Sequence, residues 1–165
     1  MLNDDNVILD EIKKDIEEIL LSYVKAQSFT NTKNEKLAEQ FFLSYFSNIP
    51  YFNNRPNSYG VYPIEDDTFN RAVCYAVLKG KGDDTIVFVH HNDVVGVEDF
   101  KLLKNFAFSP KKLKIELMKI KDSLSEDIQR DLDDDTFLFG RGVCDMKGGG
   151  SIQIDRKSVV WERVS

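Results

Sequence analysis

The chain has 165 residues, 42% of them hydrophobic and 30% charged, with a formal net charge of −6. That is the length of one ordinary domain, too apolar for a disordered chain and without an apolar run long enough to span a bilayer. The acidic balance speaks against a sequence-independent nucleic-acid binder, which needs a basic face. The opening Met1-Leu2-Asn3-Asp4-Asp5 lacks the basic start and apolar stretch of a secretory signal, and the two cysteines, Cys74 and Cys144, make no disulfide framework, so a cytoplasmic protein with reduced thiols is expected.

Ile8, Ile12, Ile16, Ile19, Leu20, Tyr23 and Val24 recur at helical spacing and predict an amphipathic helix over residues 7–26. Residues 28–35 read as a polar turn, in which Thr32 and Glu35 fit a capping box for a second helix. That helix carries Leu37, Ala38, Phe41, Phe42, Tyr45 and Phe46 and stops near Ile49-Pro50. Residues 51–70, rich in Asn, Pro, Gly and Asp, read as loop. Residues 72–79 are strand-like, 80–84 a turn, and 85–90 a second, more buried strand, which the short connection makes an antiparallel neighbour of the first. From Pro110, Leu113, Leu117, Ile120 and Leu124 return to helical spacing. An acidic stretch over 131–135 precedes a third strand, Phe137-Leu138-Phe139, and the glycine-rich residues 140–150 lead into a further helix.

The only two histidines, His90 and His91, are adjacent at the end of an apolar strand, where ligands commonly sit in α/β folds. Successive strand side chains point to opposite faces, so one metal cannot easily take both. His91 and Asp93 share a face. A metal-bound imidazole needs a carboxylate or carbonyl on its other nitrogen, and an Asp two residues on can supply it. A strand-end His that caps a loop explains the same residues. In Phe139-Gly-Arg-Gly-Val-Cys-Asp-Met-Lys-Gly-Gly149 the glycines allow a tight turn, and Asp145 follows a strand on a constrained loop. It is placed either as a metal ligand or as a helix N-cap. The spacing fits neither phosphate-loop pattern.

Taken together, the apolar strand with His91-Asn92-Asp93-Val94-Val95, the spacer, and the Gly140-Arg-Gly-Val-Cys-Asp-Met-Lys-Gly-Gly149 run resemble the co-catalytic zinc peptidases and amidohydrolases. This is the family of carboxypeptidase G, peptidase T, acetylornithine deacetylase and succinyl-diaminopimelate desuccinylase. Residues 28–35, 94–100 and 137–142, with the long spacer between Asp93 and Asp145, look like its RocB-like branch, the arginine utilisation proteins.

The resemblance implies an α/β fold: the incomplete N-terminal part of a three-layer α/β/α catalytic domain of the zinc-exopeptidase (phosphorylase/hydrolase-like) type. It implies a dinuclear zinc site in which His91 binds one zinc, Asp93 orients the imidazole and Asp145 bridges both ions. It also implies a cis Asp145–Met146 bond. The implied substrates are small peptides or N-acyl amino acids, cleaved at an amide C–N bond, with no nucleic-acid or membrane partner. The family's catalytic Glu, its remaining ligands and the smaller domain through which it forms homodimers all follow the Asp-Met-Lys-Gly-Gly motif. The chain alone is therefore expected to bind zinc weakly and to lack hydrolase activity.

Residues 155–160, Asp-Arg-Lys-Ser-Val-Val, match the translation of a sequencing adapter in one frame. The expected organisation is a native portion over 1–154 and a non-native tail over 155–165, with the natural protein continuing past Ile154. The tail carries three basic and two acidic residues, so the native portion would hold 19 basic and 26 acidic residues.

Two other classes compete. One is a non-catalytic α/β interaction module using the aromatic loop residues Tyr51, Phe52, Tyr59 and Tyr62. The other is a redox protein using Cys144, which the neighbouring Asp145 disfavours by raising the thiol's pKa.

Overall fold

The structure, a computed structural model, describes the backbone of residues 2–164 and the side chains of residues 6–155. Apart from Asp155, the side chains of the expected tail 155–165 lie outside the described residues.

Helix α1 spans Leu2–Val24. It starts before the predicted helix and ends two residues short of it, where Ala26 N donates to Tyr23 O at 3.1 Å. A 3-10 turn, Lys33–Glu35, leads into α2, Lys36–Ser47. The cap between them is a displaced capping box. Thr32 Oγ1 accepts from Asn34 N at 3.1 Å, and Glu35 Oε1 reaches back to Asn31 N at 2.6 Å rather than to Thr32. A short helix α3, Pro50–Asn53, follows.

The sheet departs from the prediction. Strand β1, Tyr59–Pro63, lies in the stretch read as loop and pairs antiparallel with β2, Ala72–Ala76, with Tyr62 opposite Val73 and Val61 opposite Cys74. Its five residues were masked by the turn formers on either side, and Pro63 ends it. Residues 85–90, expected to be the buried partner of β2, form no ladder. Ile86, Val87 and Val89 are 80%, 74% and 79% exposed. An apolar run becomes a buried strand only when a neighbour satisfies its backbone, and among the described residues none lies along it. Phe137–Phe139, expected as a third strand, likewise forms no ladder.

The predicted helix from Pro110 divides in two. Helix α4, Pro110–Lys119, stops at Ile120, a 3-10 turn covers Lys121–Ser123, and α5 spans Glu126–Asp133. Helix α6 runs over Lys147–Val164. None of the helices is long and apolar enough, over the described residues, to cross a membrane.

Two apolar clusters hold these elements. The first joins α1, α2, α3 and α6 through Ile19, Tyr23, Ala38, Phe42, Phe46, Phe52 and Ile154. Tyr23 stacks on Phe41 with ring centroids 4.6 Å apart. Tyr51 and Phe52 belong to this core, and Tyr59 packs against it, which corrects their reading as a partner-binding surface. The Tyr51 hydroxyl is committed too, accepting from Lys79 N at 2.9 Å. Tyr62 alone of the four is broadly exposed, at 68%. The second cluster, Leu20, Val24, Val94, Ala107 and Phe108, lies beneath residues 92–95 and 140–143. Burying each of its larger aliphatic side chains contributes about 1.5–3 kcal/mol, so this cluster is the anchor of the candidate site.

One ion pair makes the fold acid-sensitive. Asp67 Oδ1 accepts from Arg71 Nε at 2.9 Å and Nη2 at 2.5 Å, and its Oδ2 accepts from Arg71 N and Phe69 N. The Arg71 bonds hold the Asp67 carboxyl down at about 2, below its ordinary 3.8. Its contribution is therefore in place above pH 3.8 and is lost as the pH falls through about 2. Acid unfolding followed by circular dichroism should show a loss of stability in that window, and Asp67→Asn should flatten it.

Candidate metal centre

The site begins with a strap. Val94 N donates to Ser28 O at 2.9 Å, Thr30 N donates to Val94 O at 2.9 Å, and Phe29 and Val94 form a parallel bridge. Ser28 Oγ adds a bond to Asn92 O at 2.6 Å. The link between α1 and α2 thus fixes the backbone that carries His91 and Asp93. Alternation then separates the histidines. The His90 ring turns inward, against Tyr23 and Phe42, with Nδ1 2.8 Å from Gln153 Oε1 of α6. His91 turns outward.

The second half is the loop 140–146. Arg141 N donates to Ala107 O at 2.8 Å, and Lys147 N donates to Gly142 O at 3.0 Å, closing a turn ahead of α6. Gly142 has φ +81°, and a Cβ there would stand 2.9 Å from Val94 Cγ1, so the position requires glycine twice over. Arg141 Nη2 contacts both Asp99 carboxylate oxygens at 2.5 Å, and its guanidinium lies 5.1 Å from the Phe100 ring centroid, pinning the loop from outside. The Asp145–Met146 peptide bond, expected cis, is cis.

The two halves meet. His91 Nε2 is 2.9 Å from Asp145 Oδ1, across 54 residues of chain, and His91 Nδ1 is 3.1 Å from Asp93 Oδ1. Thr30 Oγ1 donates to the other oxygen of Asp93, Oδ2, at 2.6 Å. A cleft of about 200 Å³ includes Thr30, His91, Asp93, Arg141, Cys144 and Asp145 in its wall. A larger cavity of about 310 Å³, bordered by α1 and Tyr45, lies away from these groups.

Electrostatics follows the geometry. Partial burial pulls the His91 pKa down, but the hydrogen bond to Asp145 and the charges of Asp93 and Asp145 outweigh it and hold the imidazole above its ordinary value. Burial pushes Asp93 up, but its bonds to Thr30 and His91 keep it below the usual carboxylate range. When protonated, the ring donates from both nitrogens, one to each carboxylate. Beneath the loop, Lys147 is fully buried. Its ammonium donates to Ala26 O and, at 3.3 Å, to Tyr23 O, and stands 4.8 Å from the Tyr23 ring centroid. Burial lowers its pKa to about 8, against the pull of Asp93.

His91 Nε2 and the Asp145 carboxylate, the latter 88% exposed, are donors of the kinds zinc takes, so they fit two positions of a zinc site. Asp93 occupies the far imidazole nitrogen and does not point at the same space. Among the described residues, no group of three or more His, Cys, Asp or Glu side chains is placed to hold a metal ion. Cys144 and Cys74 are both free thiols. Burial, and then the charge of Glu39, push Cys74 up to about 12, which keeps it protonated and unreactive.

Sequence reasoning missed Thr30, Arg141 and Lys147. Thr30 lay in a quoted stretch but read as turn, and only the 63-residue separation of its bond to Asp93 explains why local pattern could not place it.

No family model matches the chain, and no solved structure matches it. The likeness that does emerge is to RocB and a second bacterial protein, over about 85% of the chain. The two are proteins of Bacillus subtilis (strain 168). The uncharacterized protein YqjN is 31% identical over 145 residues, 87% of this chain and 26% of YqjN. Protein RocB is 30% identical over 141 residues, 84% of this chain and 25% of RocB. The chain thus spans about a quarter of the length of these curated relatives.

Proposed function

We propose that residues 1–154 are the N-terminal portion of the α/β/α catalytic domain of a dinuclear-zinc hydrolase that cleaves amide C–N bonds in small peptides or N-acyl amino acids, with a link to arginine catabolism. The observation that carries this reading is the meeting of His91, Asp93 and Asp145 from two distant segments. Likeness to RocB supports it, and the share of the relatives that the chain spans leaves room for the remaining ligands and the general base.

In this reading His91 Nε2 and Asp145 would hold zinc, and Asp93 would keep the imidazole turned toward it. Bound zinc supplies an activated water and polarises the scissile carbonyl. This chain's own residues supply the rest of what it can offer: the strap and the glycine turn set the donors, and Asp93 holds the proton on His91 Nδ1. Two donors make an incomplete shell, so zinc binds the chain weakly and turnover needs the longer protein.

Calorimetric zinc titration of the chain tests the reading. The expected result is weak one-site binding that His91→Ala or Asp145→Ala abolishes, while Cys74→Ala leaves it unchanged. Equal binding by wild type and both site variants would overturn it.

A second reading keeps one observation. Tyr62, Val73, Tyr75 and Val77 are all exposed around the β1–β2 ladder, an apolar surface compatible with a non-catalytic interaction module. Zinc binding insensitive to His91 and Asp145 would favour it.

A further inference from the structure

We infer that Thr30 is a positioning residue of the candidate metal centre, whose hydroxyl locks the Asp93 carboxylate so that His91 presents Nε2 toward Asp145. The inference rests on the metal-ligand reading for its purpose, though not for its geometry.

The argument starts from what fixes an Asp side chain. The last torsion of Asp is broad, so a carboxylate held by one weak contact turns freely. Asp93 has a contact on each oxygen: Oδ1 with His91 Nδ1 at 3.1 Å, and Oδ2 with Thr30 Oγ1 at 2.6 Å. The Thr30 bond is the shorter, and hydrogen bonds to an ionised acceptor are the strong ones. It therefore sets the carboxylate plane, and the imidazole follows. His91 also has a competing acceptor, since its Nδ1 lies 3.2 Å from the Asp93 carbonyl oxygen. With the carboxylate released, the ring can settle on the carbonyl and swing Nε2 off Asp145.

Thr30 is itself well fixed without its hydroxyl. Its N–H donates to Val94 O, the neighbouring Ser28 accepts from Val94 N, and Phe29 packs edge-on against Phe108 with centroids 5.4 Å apart. Its hydroxyl has one alternative acceptor, Val94 O at 3.1 Å, the longer of its two contacts. Removing the hydroxyl from an exposed side chain held by backbone bonds leaves the strap in place. The effect falls on Asp93.

The test uses the full 165-residue chain and three forms: wild type, Thr30→Val, which keeps the shape and loses the hydroxyl, and Thr30→Ser, which keeps the hydroxyl. Zinc affinity should fall roughly tenfold in Thr30→Val, the scale of an outer-shell loss, and stay near wild type in Thr30→Ser. Nitrogen-15 NMR of the His91 ring in the zinc-free chain gives the second readout. In Thr30→Val the ring nitrogen shifts should change as Nε2 leaves Asp145 and Nδ1 settles on the Asp93 carbonyl, and Thr30→Ser should restore the wild-type signature. Unchanged ring shifts in Thr30→Val overturn the inference, as does a Thr30→Ser variant that falls as far as Thr30→Val, which would assign the effect to packing. If His91→Ala binds zinc like wild type, the metal reading fails, and the ring shifts still decide the role of Thr30.

Discussion

Gly148→Ala is expected to part Asp145 from His91. A Cβ at position 148 would stand 2.3 Å from the carbonyl oxygen of Val143, a backbone atom with no rotamer to yield. The first turn of α6 must then move away from the loop 140–146, and Asp145 lies between the two groups that separate. Overpacking of this kind costs about 1–3 kcal/mol. Gly149→Ala is the control, because its Cβ would meet only the end of Met146, at 3.7 Å. There the exchange of a helical glycine for alanine should be neutral or stabilise by about 0.5–1 kcal/mol. Urea denaturation midpoints and zinc titrations of the two variants give the answer. Gly148→Ala should lower both stability and zinc affinity, and Gly149→Ala neither. Identical behaviour of the two variants would show that the close approach to Val143 constrains nothing.

The contrast between these neighbouring glycines also shows what the chain discloses locally and what it does not. Helices α1 and α2 are legible because Ile19, Tyr23, Phe42 and Phe46 repeat on one face, and that repeat is the packing itself. The motif residues His91, Asp93 and Asp145 are legible as types at telling positions. Their convergence is not, since it depends on Val94 docking beside Phe29 and on Gly142 turning over Val94.

The errors have a common source. Residues 85–90 carry the composition of a buried strand, but burial and pairing belong to the neighbours, and β2 pairs instead with 59–63. Tyr51 and Phe52 sit in a run of turn formers that suggests a surface loop, yet the first cluster takes them both. Thr30 and Lys147 act through bonds to partners 63 and more than a hundred residues away. Their side chains run against composition, since a threonine in a polar turn and a lysine in a loop both read as solvated.

Lys147 carries the largest consequence of that blindness. Its ammonium is sealed from solvent and donates to the carbonyls of Tyr23 and Ala26, at and just past the C-terminal end of α1. These are acceptors that a helix end leaves without intrahelical partners, and a cation is favoured there by the helix dipole. Residues 145–147 are thereby tied to α1, so the same side chain that closes the helix also seats the loop of Asp145. Lys147→Ala takes one donor from the Tyr23 and Ala26 carbonyls, which keep Ala26 N and Ser28 N, and opens a cavity under Tyr23. Together these cost about 3 kcal/mol or more, a large part of the stability of a domain this size. Lys147→Met separates the contributions, because it keeps most of the volume and relieves the burial of charge. It should fall between wild type and Lys147→Ala in urea midpoint, yet lose zinc affinity as fully as the alanine variant, since neither side chain ties the loop to α1. Should Lys147→Met retain wild-type zinc affinity, filling the space beneath the loop would suffice, and the hydrogen bonds to α1 would be a matter of stability alone.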